Sequence, residues 1–219
     1  MWALILVVQI SLNIKNADFE NWVDTTTPVD WVVSHPAALP VYKEKSLVRT
    51  GGHSVKVERA SKTTNYTEAL VQFVPIADLG LNHKIIFYIY DNDPDVRGRV
   101  HCTWCKSDST SLSDYFFSSY SSDLASWQEL LAEEVPPTGA RFIKLTLRIY
   151  LQTGSTDSLG YVFFDSGFGL KVEEREKTQF LNFEKNNKEA FFDITGRKNR
   201  QGKIVFKRGV RSQKILKIR

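Results

Sequence analysis

The sequence predicts an all-β protein, an antiparallel β-sandwich with a small β-unit at its C-terminus. From Asn16 onward the chain alternates in short apolar and polar runs separated by polar turns, with little sustained helical periodicity. Aromatic residues make up 12% of the chain, which suits strands. A length of 219 residues allows one well-buried domain of ordinary size and an appendage.

The chain opens with an apolar run, residues 1–12, that is too short to span a bilayer. Its length suits the hydrophobic part of an export signal, so we expect residues 1–12 to be a signal peptide. No Lys or Arg precedes the run, which leaves a second interpretation, a buried first strand. The rest of the sequence has no stretch long and apolar enough for a transmembrane segment.

Residues 13–170 are expected to form the main domain from seven or more short strands. The clearest alternating runs are 51–57, 67–75, 84–90, 96–105, 141–150 and 161–165. The runs 84–90 and 96–105 flank a tight acidic connection at 91–95, so we expect them to pair as a hairpin. Residues 126–135 fit both a helix, with a possible capping box, and a strand.

The two cysteines, Cys102 and Cys105, have a Cys-x-x-Cys spacing. On a strand their side chains would lie on opposite faces about 10 Å apart. That separation is too large for a disulfide, and a zinc site would need two further ligands. We expect two independent thiols, at least one of them in the core.

Charge divides the chain in two. Residues up to Leu170 carry 14 Lys or Arg against 19 Asp or Glu, whereas the last 26 residues carry ten Lys or Arg and no acid. The pI near 9.0 therefore describes a tail, and it does not indicate a nucleic-acid-binding protein. We expect a charged connector at 171–179 and a basic β-type tail at 180–219, with alternating strands at 203–207 and 214–218.

An ordered series of landmarks runs through residues 13–170. They are Asn16-x-x-Phe19-Glu20-x-Trp22, Pro28-x-x-Trp31, Gly51-Gly-His-Ser54, Trp127, Pro137-x-Gly-Ala140 and Val162-Phe-Phe-Asp165. This series resembles the galactose-binding-like jelly rolls of carbohydrate-binding modules, similar to the family four, nine and twenty-two xylan and glucan binders. The resemblance implies a jelly-roll sandwich, a strand that begins at Trp127, and core positions for Trp22, Trp31 and Trp127.

The same resemblance implies a structural calcium ion. Its ligands would be Glu20, the backbone around Gly51 and Gly52, and Asp165. Hard oxygen ligands from both ends of the domain would clamp the sandwich shut. The alternative is that Glu20 and Asp165 are ordinary capping or salt-bridging carboxylates.

Sugar binding would need an exposed aromatic platform with hydrogen-bonding groups nearby. Tyr88 and Tyr90 share one face of a strand, and Trp104 lies on the strand expected beside it. Tyr150 shares a strand with Arg148, and Tyr42 lies in an expected loop. The candidate ligand-binding residues are Trp104, Tyr88, Tyr90, Tyr42 and Tyr150, each with core or rim packing as the alternative.

We find no nucleophile, base or metal cluster with useful spacing in the sequence. Asp91-x-Asp93-x-Asp95 begins like a calcium loop, but Val96 and Cys102 occupy the positions that need Gly and Glu. We therefore expect a solvated turn there. Two converging carboxylates of a glycosidase remain an alternative.

The tail carries a second resemblance. Phe191-Phe-Asp-Ile-Thr-Gly-Arg197, Gly202-Lys-Ile-Val-Phe-Lys207 and Ser212-Gln-Lys-Ile-Leu-Lys-Ile-Arg219 resemble a short form of the C-terminal sorting domain of the type IX secretion system. This resemblance implies export and a partner in the secretion machinery. Polyanion binding by the ten cations is the alternative.

Taken together, these features predict an exported, non-catalytic binding protein that is secreted or held at the cell surface. Its expected partner is a polysaccharide or glycoconjugate, with no specific nucleic acid and no transmembrane segment. The alternatives are a small secreted hydrolase, such as a glycosidase or nuclease, and a self-assembling surface protein.

Overall fold

A computed structural model describes the backbone of residues 6–60, 65–77, 80–152, 159–175, 203–208 and 212–217, and the side chains of these ranges between residues 11 and 171. The described residues contain strands and turns and no helix, as the sequence predicts. The strands are β1 (Leu6–Leu12), β2 (Val32–Val33), β3 (Val41–Glu44), β4 (Ser54–Arg59), β5 (Glu68–Pro75), β6 (Asn82–Asp91), β7 (Val96–Cys105), β8 (Ser111–Phe117), β9 (Leu124–Glu134), β10 (Phe142–Leu151), β11 (Gly160–Arg175), β12 (Lys203–Arg208) and β13 (Ser212–Lys217).

Two antiparallel sheets form an antiparallel jelly-roll β-sandwich. The six-stranded sheet has the order β3-β4-β11-β6-β9, and β1 also pairs with β11. The five-stranded sheet has the order β2-β5-β10-β7-β8. Strands far apart in sequence lie side by side, so the chain passes repeatedly from one sheet to the other.

The predicted hairpin between β6 and β7 is wrong. The two strands lie in different sheets, and the acidic connection carries the chain across the sandwich. Each strand is already paired on both sides, β6 with β11 and β9, and β7 with β10 and β8. They face each other across the core so closely that a Cβ added to Gly98 would lie 1.9 Å from Cδ1 of Ile89.

The core between the sheets collects the inward-facing side chain of every second strand residue. Trp31 lies there as expected, with ring centroids 5.5 Å from Phe19 and 6.0 Å from Phe87. Trp22 is half-buried and packs against this cluster. Trp127 does not lie in the core; it is half-buried on the outward side of the six-stranded sheet, because its neighbour Leu130 faces inward from the same strand.

Three local predictions can be compared with the strands directly. Residues 126–135 are strand, since β9 runs from Leu124 to Glu134. Cys102 and Cys105 are both free and buried, which confirms two independent thiols. Tyr42 lies in β3 rather than in the expected loop, because Val41 on that strand enters the core.

The ends of the sandwich differ in part from the expected domain limits. Leu6–Leu12 forms a strand, β1, that pairs with residues 169–175 of β11. The apolar run is thus a strand of the six-stranded sheet, which agrees with the strand interpretation. Cleavage of residues 1–12 as a signal peptide stays a prediction. β11 continues to Arg175, five residues into the expected connector. None of the described residues forms a helix long and apolar enough to cross a membrane.

The chain divides into two compact units, one of residues 2–177 and one of residues 178–219 with Met1. In the second unit, β12 and β13 pair antiparallel, from Lys203 opposite Lys217 to Arg208 opposite Ser212. These strands confirm the two alternating runs predicted in the tail. The expected β-type runs at 180–183 and 190–194 lie outside the described residues.

Candidate functional site

The five predicted ligand-binding aromatics do not form one site. Trp104 is only 1% exposed and packs against Phe116, with ring centroids 4.7 Å apart, so it is a core residue and not a platform. The physical reason is the alternation along β7, which turns Trp104 and Cys102 inward and turns His101 and Thr103 outward.

Tyr42 and Tyr90 lie on the outward side of the six-stranded sheet. Register places Tyr42, Lys56, Phe163, Tyr90 and Trp127 in one row across five strands. The ring of Tyr90 meets Trp127 and Phe163 edge-on, with centroids 5.9 Å and 6.2 Å away. The aromatic surface of Tyr90 is therefore largely used by neighbouring rings.

Tyr88 lies on the same outward side and is also occupied. The guanidinium carbon of Arg49 lies 3.4 Å from the centre of the Tyr88 ring. The Tyr88 hydroxyl donates a 2.9 Å hydrogen bond to Glu129, and this bond, with burial, raises the pKa of Tyr88. Tyr88 thus acts as a bridge between Arg49 and Glu129.

Tyr150 lies on the other sheet, on a surface that we call the five-stranded face. It consists of the outward-facing side chains of β5, β7, β8 and β10 together with Tyr120, which follows β8. Register sets Thr146 opposite His101, Arg148 opposite Arg99 and Tyr150 opposite Arg97. The face carries aromatic rings along one side and charged groups at its centre; its principal members are Glu68, Arg97, Arg99, His101, Tyr115, Phe117, Tyr120, Lys144, Thr146, Arg148 and Tyr150.

Three rings form an aromatic patch on the five-stranded face. His101, Tyr115 and Phe117 have centroids 5.4 to 6.0 Å apart and ring planes within 26° of parallel. Tyr115 is 59% exposed and Phe117 44% exposed. Tyr115 and Phe117 point outward because they are opposite Thr103 and His101, the outward residues of β7.

His101 is neutral at ordinary pH. Burial, together with the positive charge of Arg148, lowers its pKa to about 4. Its Nδ1 is buried and has no hydrogen-bond partner among the described residues. A neutral imidazole can both donate and accept a hydrogen bond, which makes His101 a versatile polar group within the aromatic patch.

The segment after β8 is fixed to β7 by two buried serines. The Ser118 hydroxyl accepts a 3.1 Å hydrogen bond from Val100 N–H, and the Ser121 hydroxyl accepts one of 2.7 Å from Gly98 N–H. These bonds replace strand pairing and place Tyr120 above the arginines of β7. The Tyr120 ring centre lies 4.4 Å from the guanidinium carbon of Arg99.

Glu68 organises the charged centre of the face. Its carboxylate accepts a 2.9 Å hydrogen bond from Lys144 and a second hydrogen bond from Arg148. Burial alone would raise the pKa of Glu68, but the bond from Lys144 and the charges of Arg148 and Lys144 outweigh it and hold the pKa low. Arg148 also donates to the hydroxyls of Thr146, at 3.0 Å, and Tyr150, at 3.3 Å.

A groove of about 290 Å³ lies at the β2 edge of the same face. Its wall is largely apolar, from Val32, Val71, Phe73 and Pro75. Gln72 fixes the opposite wall, since its side-chain amide accepts a hydrogen bond from Lys15 N–H and donates one to Lys15 C=O, both of 2.9 Å. The groove extends the face toward the N-terminal segment.

The predicted calcium ligands bind a loop in this structure. Oε1 of Glu20 accepts hydrogen bonds from Gly52 N–H and His53 N–H, and Oδ2 of Asp165 accepts them from Arg49 N–H and Thr50 N–H. These contacts outweigh burial and lower the pKa of Glu20, whereas burial dominates and raises the pKa of Asp165.

A calcium ion needs six to eight oxygen ligands with free lone pairs. Oε1 of Glu20 and both carboxylate oxygens of Asp165 already accept two hydrogen bonds each. Within the described ranges, no three His, Cys, Asp or Glu side chains lie together, so a calcium ion at this place would need backbone carbonyls to complete its ligands. In this arrangement the two carboxylates accept hydrogen bonds from backbone N–H groups, and calcium binding stays a prediction.

The acidic connection between β6 and β7 is more buried than expected. Asp91 is fully buried rather than solvated, and its carboxylate accepts hydrogen bonds from the Ser121 hydroxyl and from Asp93 N–H. Burial raises the pKa of Asp91 to about 6. The turn therefore ties the crossing between the sheets to the segment after β8.

Sequence reasoning missed most of the five-stranded face. The alternation Arg97-Gly-Arg99-Val-His101 was available as a signal, since every second residue is polar. The run Tyr115-Phe-Phe117 alternates around a buried Phe116 in the same way. Neither pattern predicts that β8 pairs with β7 or that β7 pairs with β10.

Comparisons with known proteins agree with this architecture. No protein-family model matches the chain, and no curated protein matches its sequence. A cyclase from Fischerella sp. TAU is similar over 76% of this chain and 98% of its own, with 16% identity and a TM-score of 0.57.

Two further solved structures are similar. The enzymatically active domain of tailspike protein 4 of bacteriophage CBA120 matches 72% of this chain, with 10% identity and a TM-score of 0.53; the match spans only 21% of that chain. The C-terminal family 22 carbohydrate-binding module of Clostridium thermocellum Xyn10B matches 72% of this chain and 92% of its own, with 12% identity and a TM-score of 0.49. At these identities the similarities to the cyclase and to the tailspike domain, whose TM-scores exceed 0.5, show a shared fold and no more.

Proposed function

We propose that the protein binds carbohydrate on the five-stranded face. The observation that carries the proposal is the aromatic patch of Tyr115, Phe117 and His101 beside the fixed polar centre around Glu68 and Arg148. Sugar rings offer apolar C–H faces and a rim of hydroxyls, so a binding surface needs flat rings and oriented polar groups together.

The polar centre is organised before any ligand arrives. Glu68 holds Lys144 and Arg148 in place, and Arg148 in turn holds the hydroxyls of Thr146 and Tyr150. Groups that are already fixed lose little conformational entropy when a ligand binds. This arrangement favours a directional, hydrogen-bonding ligand over a purely apolar one.

The opposite side of the sandwich is a weaker candidate. Its rings are used within the protein, since Tyr90 packs edge-on against Trp127 and Phe163, and Arg49 covers Tyr88. On the five-stranded face, by contrast, more than half of the Tyr115 side chain is open to solvent. Of the residues predicted from sequence, Tyr150 belongs to the proposed site.

Tyr115→Ala tests the proposal, and Tyr161→Ala is its control, since Tyr161 is also an exposed tyrosine, 41% against 59% for Tyr115, but lies on the six-stranded sheet. A glycan array with the full-length protein identifies ligands, and calorimetry measures their affinity. We expect Tyr115→Ala to weaken binding about tenfold, or 1.4 kcal/mol, and Tyr161→Ala to leave it unchanged. Equal loss in both variants, or no ligand on the array, would contradict the proposal.

We propose that the face binds without catalysis, and a turnover assay separates this from the hydrolase alternative. Oligosaccharides that bind are incubated with the protein, with and without EDTA, and products are measured by mass spectrometry. Unchanged ligand supports a binding module. Turnover that disappears in Glu68→Gln while binding persists would show a hydrolase instead.

Export and sorting to the cell surface belong to the same proposal. Their support is the apolar N-terminal run and the resemblance of residues 191–219 to a sorting tail. Mass spectrometry of the protein recovered from cell surface and medium tests both ends. An intact Met1 on the surface-exposed protein would contradict signal cleavage.

A further inference from the structure

The five-stranded face is a cationic area on an acidic domain. The chain up to Leu170 carries 14 basic and 19 acidic residues. The outward positions of the three central strands, β5, β10 and β7, nevertheless carry four cations and one carboxylate. The cations are Arg97, Arg99, Lys144 and Arg148, and the carboxylate is Glu68.

Glu68 is shared by two of these cations, Lys144 and Arg148. Arg97 and Arg99 form no ion pair with any carboxylate in the described part of the chain. Two positive charges on this face therefore have no balancing carboxylate among the residues that the structure describes.

Arg99 is held in a fixed position without using its terminal N–H groups. Its guanidinium carbon lies 3.6 Å from the Phe117 ring centre and 4.4 Å from that of Tyr120. Its Nε donates a 2.7 Å hydrogen bond to Ser118 C=O. Neither Nη nitrogen hydrogen-bonds to a described residue, so the two-pronged end of the side chain is free to bind an anion.

The register adds a cost that an anion would relieve. Arg99 lies directly opposite Arg148 on the same face, and like charges in that position destabilise a sheet. The same cations act on His101, whose pKa is lowered mainly by burial and then by Arg148; Glu68 opposes this effect, and Arg99 and Lys144 add smaller decreases. Arg97, opposite Tyr150, extends the unbalanced charge along β7.

We infer that the carbohydrate bound by the five-stranded face is an anionic glycan, with a carboxylate or sulfate group received by Arg99 and Arg97 beside the aromatic patch. This inference rests on the proposed function and specifies its ligand class. Carboxylate and sulfate both match the planar, paired N–H donors of a guanidinium. The sugar ring next to the anionic group would then lie against Phe117 and Tyr115.

The test uses the full-length protein and three short probes: xylotriose, which is neutral, trigalacturonic acid, which carries carboxylates, and a sulfated chondroitin tetrasaccharide. Calorimetry gives the affinities at low and high salt, and backbone amide NMR shifts locate the contact. We expect at least tenfold tighter binding of one or both anionic probes than of xylotriose, weakened by salt, with shifts in β7, β8 and β10.

Three variants complete the test. Arg99→Gln and Arg97→Gln should each weaken the anionic probe about tenfold, and Arg99→Lys should recover only part of the loss because lysine cannot offer two parallel donors. Arg49→Gln is the control, since it removes an arginine that also lies over a tyrosine, but on the other sheet. It should leave the affinity unchanged.

The outcomes separate the two levels of the proposal. Preference for the carboxylated probe, the sulfated probe or both supports the inference and identifies the anion. Equal or tighter binding of xylotriose would overturn the anionic class and leave the carbohydrate-binding function standing. Anion binding that survives both glutamine variants, with shifts confined to β12 and β13, would assign it to the basic tail and overturn the inference. Absence of binding by all three probes, and by the array, would overturn both.

Discussion

At the scale of single residues, Gly51 shows how tightly the loop before β4 is built around Glu20. Gly51 has a φ of 73°, a conformation that costs a residue with a side chain about 1 kcal/mol or more. A Cβ at this position would also lie 2.1 Å from Oε1 of Glu20. Glycine here permits both the turn and the approach of the carboxylate.

We predict that Gly51→Ala lowers the free energy of unfolding by about 2–4 kcal/mol, because backbone strain and a steric clash add. Gly139→Ala is the matched control: its φ is 92°, but no atom lies within 4 Å of the added Cβ, so it should cost only about 1 kcal/mol. Urea denaturation measures both values. Equal losses in the two variants would mean that Glu20 does not constrain the loop.

Asp91 gives the sandwich a dependence on pH. Its folded-state pKa is raised by burial to about 6 from an ordinary value of 3.8, despite the hydrogen bond from Ser121, and the nearby carboxylates of Asp123 and Asp93 add to the increase. A raised acid pKa means that the folded state prefers the protonated form. The contribution of protonated Asp91 to the free energy of unfolding is therefore complete below about pH 4, and it is lost as the pH rises through 6.

We predict that Asp91→Asn, which resembles the protonated acid, gains stability relative to the natural protein as the pH rises from 4 to 7.5. The gain should be about 1–3 kcal/mol. The measurement is urea denaturation of both proteins at several pH values, and their difference removes the contribution of other titrating groups. A difference that does not change with pH would contradict the raised pKa.

At the scale of strands, Glu68 joins β5 to β10 through the only carboxylate of the charged centre. The Glu68, Lys144 and Arg148 side chains are between 16% and 31% exposed, so their charges are partly removed from water. Loss of the carboxylate would leave two neighbouring cations facing Arg99 with no compensating charge.

We predict that Glu68→Gln lowers the free energy of unfolding by about 1–2 kcal/mol, a value between exposed and fully buried pairs. Glu133→Gln is its control: Glu133 pairs with Lys84 at 2.9 Å on β9 and β6 but is more exposed, so its loss should cost less than about 0.5 kcal/mol. Thermal unfolding at 50 mM and 500 mM salt measures both. A Glu68 effect no larger than that of Glu133 would show that the centre is not electrostatically coupled.

Strand content was predictable because alternation is a local property. The runs that became β4, β5, β10 and the first part of β11 are visible in the sequence, and so are those of β12 and β13. Pairing was not predictable, and the hairpin of β6 and β7 is the instructive error. A short polar connection is equally suitable for a hairpin and for a crossing between sheets. Which of the two forms depends on the strands that pair with each side of β6 and β7.

The landmark tryptophans show the same limit. Trp31 is core because the fold encloses it between Phe19 and Phe87. Trp104 and Trp127 exchange the roles assigned to them, since one is buried and the other is half-buried on the surface. Which face of a strand an aromatic residue occupies depends on how the two sheets pack, because an aromatic side chain suits both the core and the surface of a sheet.

At the scale of the whole molecule, the sandwich and the tail are separate compact units. The sandwich has its own continuous core from both sheets, whereas residues 178–219 carry 12 Lys or Arg against 3 Asp or Glu. A domain with a complete core should fold without the appendage.

We predict that a chain ending at Lys177 keeps the melting temperature of the sandwich within about 2 °C of the full-length value. A chain ending at Gly167 should lose cooperative unfolding, because it lacks the part of β11 that pairs with β1 and with half of β6. Differential scanning calorimetry compares the three proteins. A large loss on ending at Lys177 would mean that the tail completes the domain.

The sequence by itself determined the all-β class, the approximate place of most of the longer strands, the free thiols and the division between an acidic domain and a basic tail. These properties follow from composition and from patterns only a few residues long. The tertiary structure alone decided which aromatics are exposed and which charges meet. The five-stranded face is made from β5, β7, β8 and β10, whose residues are up to about 80 positions apart, and only the order of strands in the sheet brings Arg99, Arg148, Tyr115 and Glu68 together.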